Sequence, residues 1–290
     1  MLLAAGAMKI CSLLPLETKR YQGWCLAMIR AAWGLAAFCA PWMSCSSDPS
    51  TADEWVAIEA KMAEVDARAA AGKEPYRPLM ILGNHTSFFD TLLSVTAMPL
   101  SVLWRCRTYM DAGLFKMPIL STICLSIGHF PVYFMTSEEG KFTVDKEKNE
   151  IVDKRVNEHL HSGGWLCFFP EGQVNKEPDK LMAFRFGGMK KALEFDARLV
   201  AFVSVGNAKV WPKKAKIGGL PGRVRYSMKP LAPDGAKAFV QQLRKSDLSE
   251  EDKQMEDHVL LAKHLQIRMQ TQYDSLKAEL AAMNGRSKKD

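Results

Sequence analysis

The stretch Leu79-Met80-Ile81-Leu82-Gly83-Asn84-His85-Thr86-Ser87-Phe88-Phe89-Asp90 decides the fold. Residues 79–82 are an apolar run with no polar alternation, the mark of a strand covered on both faces. A helix is expected directly after it, over 88–97. Asn84 to Ser87 then sit at the C-terminal end of a strand, where open α/β sheets bind their ligands. The same alternation repeats outward. Apolar runs recur at 101–104 (SVLW), 130–134 (FPVYF), 165–169 (WLCFF) and 199–205 (LVAFVSV), with one more strand expected at 223–229. Helices are expected at 53–71, 111–126, 147–161 and 181–196. A long one follows from Ser249, where Met255, Val259, Ala262, Leu265, Met269, Tyr273, Leu276 and Leu280 recur at spacings of three and four. Ser249 with Asp252 behind it reads as the N-cap of that helix, and the terminal GRSKKD is expected to fray. The fold class is α/β: a mixed, largely buried sheet flanked by helices, with an N-terminal membrane-associating helical segment and a C-terminal helix.

Three segments follow: an apolar membrane-associating segment at 1–47, the α/β domain at 48–235, and a helical extension at 236–290. Residues 22–43 are apolar except for Gln22 and Arg30. On a helix Trp24 and Trp42 would stand about 27 Å apart, close to a bilayer's hydrocarbon thickness. A central Arg costs roughly 2.5–3.5 kcal/mol on insertion, however, and the few Leu, Ile and Phe residues return little. The segment therefore reads as an interfacial or half-inserted hairpin, with a true span or a removable targeting peptide as alternatives. All five strand candidates named first lie beyond residue 78, so removing 1–47 is expected to spare the fold.

Of the 290 residues, 48% are apolar and 24% charged, which excludes a disordered, a collagen-like or a polytopic membrane chain. The seven cysteines are odd in number and form no C-x-x-C, so they are neither a disulfide framework nor a zinc site. They read as reduced thiols of an intracellular protein. The net charge is +7, and residues 206–229 hold seven basic residues, Lys216 among them, and no acid. Such a stretch favours anionic lipid or a phosphorylated substrate, with nucleic acid the less favoured partner.

His85 and Asp90 are five residues apart. A turn at the helix start can bring the carboxylate to one imidazole nitrogen, fixing the tautomer and stabilising the imidazolium. The other nitrogen is then a general base toward a hydroxyl. The plainer alternative is a loop histidine beside a helix-capping carboxylate. Phe168-Phe169-Pro170-Glu171-Gly172 ends a second buried strand: the glutamate can accept hydrogen bonds from hydroxyls and the glycine permits close approach, although Pro-Glu-Gly also reads as a turn. Gly128-His129-Phe130-Pro131-Val132 reads as a turn into a strand. His159 and His161 are two apart and share no helix face, so no metal site is expected. H-E-x-x-H, G-x-S-x-G and P-loop patterns are absent from the sequence.

Taken in order, Asn84-His85-x4-Asp90, Gly128-x-x-Pro131-Val132 and Phe169-Pro170-Glu171-Gly172 resemble the glycerolipid acyltransferase family, which includes lysophosphatidic acid acyltransferases, lysophospholipid acyltransferases and tafazzin. The resemblance covers about residues 75–232. It implies that 48–235 is an acyltransferase domain in which His85 is the catalytic base and Asp90 orients it. Asn84, Glu171 and Gly172 would bind the acceptor, and Arg185 its phosphate. It also implies no bound cofactor and no metal, acyl-CoA as co-substrate, a lysophospholipid or lysophosphatidic acid acceptor, and a membrane surface at the endoplasmic reticulum or mitochondrion. Gln173-Val174-Asn175 after Glu-Gly, Phe184-Arg185-Phe186-Gly187 and Val205-Gly206-Asn207 are similar to the tafazzin branch. That branch would make the chain a CoA-independent transacylase with a phospholipid donor. Some positions depart from the family: Phe134 stands where an arginine is usual, Gln173-Val174-Asn175 where Thr-Arg-Ser is common, and Ala201 where a proline is usual. Thr91 also stands where tafazzin has a second aspartate. These departures motivate a competing reading, a non-catalytic lipid-binding or scaffold subunit with a protein partner.

Overall fold

The computed structural model describes residues 2–12, 17–136, 142–215 and 218–286; Lys216 and the end of the tail, 287–290, lie outside the described residues. The strands are β1 (Met43–Ser47), β2 (Leu79–Gly83), β3 (Cys106–Asp111), β4 (Phe130–Val132), β5 (Phe134–Thr136), β6 (Phe142–Val144), β7 (Trp165–Phe168), β8 (Arg198–Val205) and β9 (Gly222–Ala232). The helices are α1 (Leu2–Cys11), α2 (Thr18–Phe38), α3 (Thr51–Ala70), α4 (Phe89–Ala97), α5 (Leu100–Arg105), α6 (Pro118–Ile127), α7 (Lys146–His161), α8 (Phe186–Glu194), α9 (Asn207–Val210), α10 (Ala236–Lys245), α11 (Glu250–Gln254) and α12 (Asp257–Arg286). The fold is mixed α/β, as expected, and the chain divides into two compact units, Met1–Phe38 with Val95–Cys167 and Cys39–Ser94 with Phe168–Asp290.

The second unit carries β1, β9, β8 and β2 side by side, in that order. β2 runs parallel to β8 with Leu79 opposite Arg198, β8 antiparallel to β9, and β9 parallel to β1. Every residue of β2 and β8 is buried, which is why neither strand alternates in sequence. Helix α12 packs on β8 and β9, and α3 on β9. The stripe expected on the tail helix is the buried one, through Ala262, Leu265, Met269, Tyr273 and Leu276. The first unit carries β7, β3 and β4, all parallel, and a small antiparallel pair, β5 and β6. One of its cores is built from Ala5 and Met8 of α1, Cys25, Leu26 and Ile29 of α2, and Ile123 and Ile127 of α6.

That core and strand β1 run against the expectation that removing 1–47 spares the fold. The N-terminal helices bury apolar side chains in the first unit, and Met43–Ser47 pairs with β9 in the second. Arg30, the charge that argued against insertion, donates inward to the Met98 carbonyl. Among the described residues no helix is long and apolar enough to cross a membrane.

Four other expectations change. SVLW at 101–104 is helical within α5, following Pro99, and the strand starts only at Cys106; four apolar residues are too few for periodicity to separate the two states. The helix expected at 111–126 is a 3-10 turn, Ala112–Lys116, then α6, because Pro118 restarts the chain as a first helical residue. The helix expected from 181 starts at Phe186. Ahead of it the N–H groups of Leu181 and Met182 donate to Gln270 and Glu171, and the Arg185 N–H, which a helix from 181 would direct to the Leu181 carbonyl, goes to the Pro170 carbonyl. The tail helix is capped by Ser249, whose hydroxyl accepts from the Asp252 N–H, but it breaks at Met255. There the Arg244 guanidinium takes the carbonyls of Asp252, Lys253 and Met255.

Candidate active site

At the end of β2 the Asn84 side chain behaves like one more strand residue. Its Nδ2 donates to the Ser204 carbonyl (2.9 Å) and its Oδ1 accepts the Ser204 N–H (2.8 Å). Asn84, expected to touch the acceptor, is buried and engaged with β8. His85 follows and is clamped through its main chain: its N–H donates to Glu171 Oε1 (2.7 Å) and its carbonyl accepts from the Asn175 N–H (2.6 Å). The ring of Phe169 stacks on the imidazole with centroids 4.1 Å apart and planes 11° from parallel. Gly83 makes room for it, since a Cβ there would lie 2.8 Å from Phe169 Cε1.

Asp90 lies in the first turn of α4, and its carboxylate does two jobs. Oδ2 accepts the N–H groups of Thr86 (2.6 Å) and Ser87 (2.8 Å), which caps the turn, and lies 3.0 Å from His85 Nδ1. Both sequence readings of Asp90, cap and imidazole partner, therefore hold together. Oδ1 accepts from Asn207 Nδ2 at 2.5 Å. Because the carboxylate only accepts, the hydrogen-bond network puts the imidazole proton on Nδ1 and a lone pair on Nε2. Nε2 has no partner among the described residues, and the side chain is 16% exposed against 2% for Asp90.

Glu171 is fully buried, and burial pushes its carboxyl above the usual carboxylate range. Oε2 accepts from Asn175 Nδ2 (3.0 Å) and the Met182 N–H (2.9 Å). With Oε1 on His85, both oxygens are engaged inside the chain. Gly172 turns at a φ of +72° beneath the aliphatic stem of Arg185. The Arg185 N–H donates to the Pro170 carbonyl (2.7 Å), while its exposed guanidinium has no partner among the described residues. The structure thus gathers His85, Asp90, Glu171, Gly172 and Arg185 in one unit, and gives Asn84 and Glu171 supporting contacts. Phe134 belongs to the other unit and is 40% exposed.

Residues 65–205 match the model of the Acyltransferase family. This segment is an acyltransferase domain. No curated protein matches the chain in sequence. The crystal structure of the 1-acyl-sn-glycerophosphate (LPA) acyltransferase PlsC from Thermotoga maritima is similar, with a TM-score of 0.60 and 16% identity over 94% of this chain and 88% of that one. At that identity the likeness speaks for the fold. The histidine–aspartate pair lies inside the acyltransferase domain, whereas Asn207 lies two residues past its matched end.

Four residues of the site escaped sequence reasoning as functional candidates: Phe169, Asn175, Ser204 and Asn207. Phe169 and Asn175 flank the Glu171-Gly172 pair, so proximity to a motif is a usable signal for them. Asn207 is 117 positions from Asp90, and no spacing rule connects them. The remaining histidines of interest are structural. His129 Nδ1 accepts the Thr108 N–H, and His159 Nε2 lies within 3.1 Å of the Arg105 and Trp165 carbonyls. Among the described residues no group of His, Cys, Asp and Glu could hold a metal ion.

Proposed function

We propose that the chain transfers a fatty acyl group to the free hydroxyl of a lysophospholipid, lysophosphatidic acid foremost, with His85 as general base. The observation that carries the reading is His85 itself: Nδ1 sits 3.0 Å from the buried Asp90 carboxylate, and Nε2 has no partner among the described residues. Nε2 takes the hydroxyl proton as the oxygen attacks the acyl carbonyl carbon. The tetrahedral intermediate collapses with cleavage of the carbon–sulfur bond of an acyl-CoA. The imidazolium returns its proton to the departing thiolate, so the base is regenerated, and Asp90 balances its charge throughout. The family match supports acyl transfer, and the activity named for the PlsC structure supports the acceptor.

Arg185, exposed beside Gly172, is the guanidinium nearest in sequence to the Glu-Gly turn and suits a phosphate, which it can bind through two parallel hydrogen bonds. Leu2, Leu3 and Ile10 of α1 and Trp24, Leu35 and Phe38 of α2 are exposed apolar residues with Lys9, Lys19 and Arg20 among them, a composition suited to an anionic lipid surface. The test offers the purified full chain lysophosphatidic acid and other lysophospholipids, with either acyl-CoA or a diacyl phospholipid as donor. Diacyl product from acyl-CoA, lost in His85→Ala, is the expected result. Product only from the phospholipid donor would place the chain with the tafazzin branch. No turnover with any pair would overturn the proposal.

A further inference from the structure

We propose that Asn207 is a positioning residue of the acyl-transfer site: its side-chain amide aims the Asp90 carboxylate and, through it, the His85 ring. The inference rests on His85 acting as the base proposed above. The two oxygens of Asp90 are served unequally. Oδ2 meets His85 Nδ1 and two backbone N–H groups. Oδ1 has one donor among the described residues, Asn207 Nδ2 at 2.5 Å. Asp90 is almost fully buried, so bulk water does not stand in for that donor. Without it Oδ1 is a buried acceptor with no donor, and the plane of the carboxylate is set by the contacts of Oδ2 alone.

The amide is oriented for this task. Its nitrogen spends one hydrogen on Asp90 and the other on Ser204 Oγ at 2.8 Å. Its oxygen is buried with no partner among the described residues. An asparagine that only filled space would satisfy its acceptor as well; here an orphaned oxygen accompanies a donor held against a carboxylate. The position is equally constrained. Gly206 adopts a φ of +92°, and a Cβ there would lie 2.2 Å from the Arg223 carbonyl oxygen. Ser204 links the amide back to Asn84, which bonds both main-chain groups of Ser204. The ends of β2 and β8, the start of α9 and the first turn of α4 are thereby set in register around the His85–Asp90 pair.

The test measures kcat and KM of the full chain with lysophosphatidic acid and acyl-CoA. Asn207→Leu should lower kcat about 10- to 100-fold, the usual scale for an outer-shell partner of a functional group, with both KM values within about twofold. On a His85→Ala background the same substitution should cost nothing further, because residues that act as a unit are not additive. Asn207→Asp keeps the volume and sets a carboxyl against Asp90: protonated it still donates to Oδ1, ionised it only repels. Its kcat relative to that of the unmodified chain should therefore fall as pH rises. Wild-type kcat in Asn207→Leu beside an inactive His85→Ala overturns the positioning role alone. A multiplicative loss on the His85→Ala background does the same. If Asn207→Leu does not fold, the pH profile of Asn207→Asp decides, and a profile parallel to that of the unmodified chain overturns the proposal. Full activity in His85→Ala overturns the base and this inference together.

Discussion

The His85 ring has two contacts to lose, the stacked Phe169 ring and the Asp90 carboxylate, and neither is a backbone support of the fold. His85→Ala should therefore fold normally and lose acyl transfer by more than the roughly 10²–10⁴-fold typical of general-base help, because positioning of the hydroxyl goes with it. Asp90→Asn keeps the shape but puts an amide where Thr86, Ser87 and His85 need an acceptor; about 10⁴-fold is the upper scale for that change in a comparable constellation. The double variant should be hardly slower than His85→Ala. Strictly multiplicative rates would show that the two side chains do not work as one. The pair was readable because five residues across a helix start is a local geometry. Glu171 was readable only as a carboxylate at a strand end. That it accepts the His85 N–H from 86 positions away depends on how two loops meet.

Elements were readable where a pattern ran long enough and misread where it was short. β8 is apolar through nearly all of its eight residues and the stripe of α12 runs on to Leu280, whereas SVLW offered four residues and went to a helix. β1 has the sequence Met-Ser-Cys-Ser-Ser, which has no strand pattern of its own; it is a strand because β9 offers it an edge. Two outcomes follow at this scale. Deleting 1–47 removes β1 and the α1–α2 contribution to the first unit's core, so the truncated chain should be insoluble or show no cooperative thermal transition. A truncated chain melting like the full one would refute this. Gly206→Ala should destabilise by several kcal/mol, on the scale of severe overpacking plus backbone strain, since the added carbon meets backbone and not a movable side chain. Chemical denaturation measures it, and a loss below about 1 kcal/mol would mean that β9 moves aside.

Across the whole molecule, stability should depend on pH through two buried histidines of the first unit. Burial, the Arg107 guanidinium and His159 push His129 down from 6.5 to about 3, and burial foremost pushes His159 down to about 4. Below pH 6.5 the unfolded chain charges both rings while the folded chain leaves them neutral. The unfolded state then binds more protons, and stability falls as pH drops from 6.5 toward 3. At about 1.4 kcal/mol per unit for each group, the loss by pH 4.5 is on the order of a few kcal/mol. Glu171 acts in the opposite sense: its raised carboxyl holds a proton longer in the folded state, so its contribution improves as pH falls through that range. It lies in the other unit. Urea midpoints against pH should fall on acidification, and less steeply in His129→Asn, which keeps an acceptor for the Thr108 N–H. An unchanged slope in that variant would show that the histidine charges without cost.

What the sequence by itself determined is what neighbouring residues decide among themselves. That includes the buried strands at 79–82, 165–169 and 199–205, the turn that joins Asp90 to His85, the Ser249 cap, and the ordered motifs that identify an acyltransferase domain. Tertiary structure alone decided which strand ends lie side by side. That choice gave Asn84 to Ser204, Glu171 and Asn175 to the His85 main chain, and Asn207 to Asp90. It also made a strand of Met43–Ser47 and a core layer of α1 and α2. The physical reason is range. Periodicity and caps act over one or two turns of chain, whereas a hydrogen bond closing across 86 or 117 residues is worth forming only after the strands between have been packed in place.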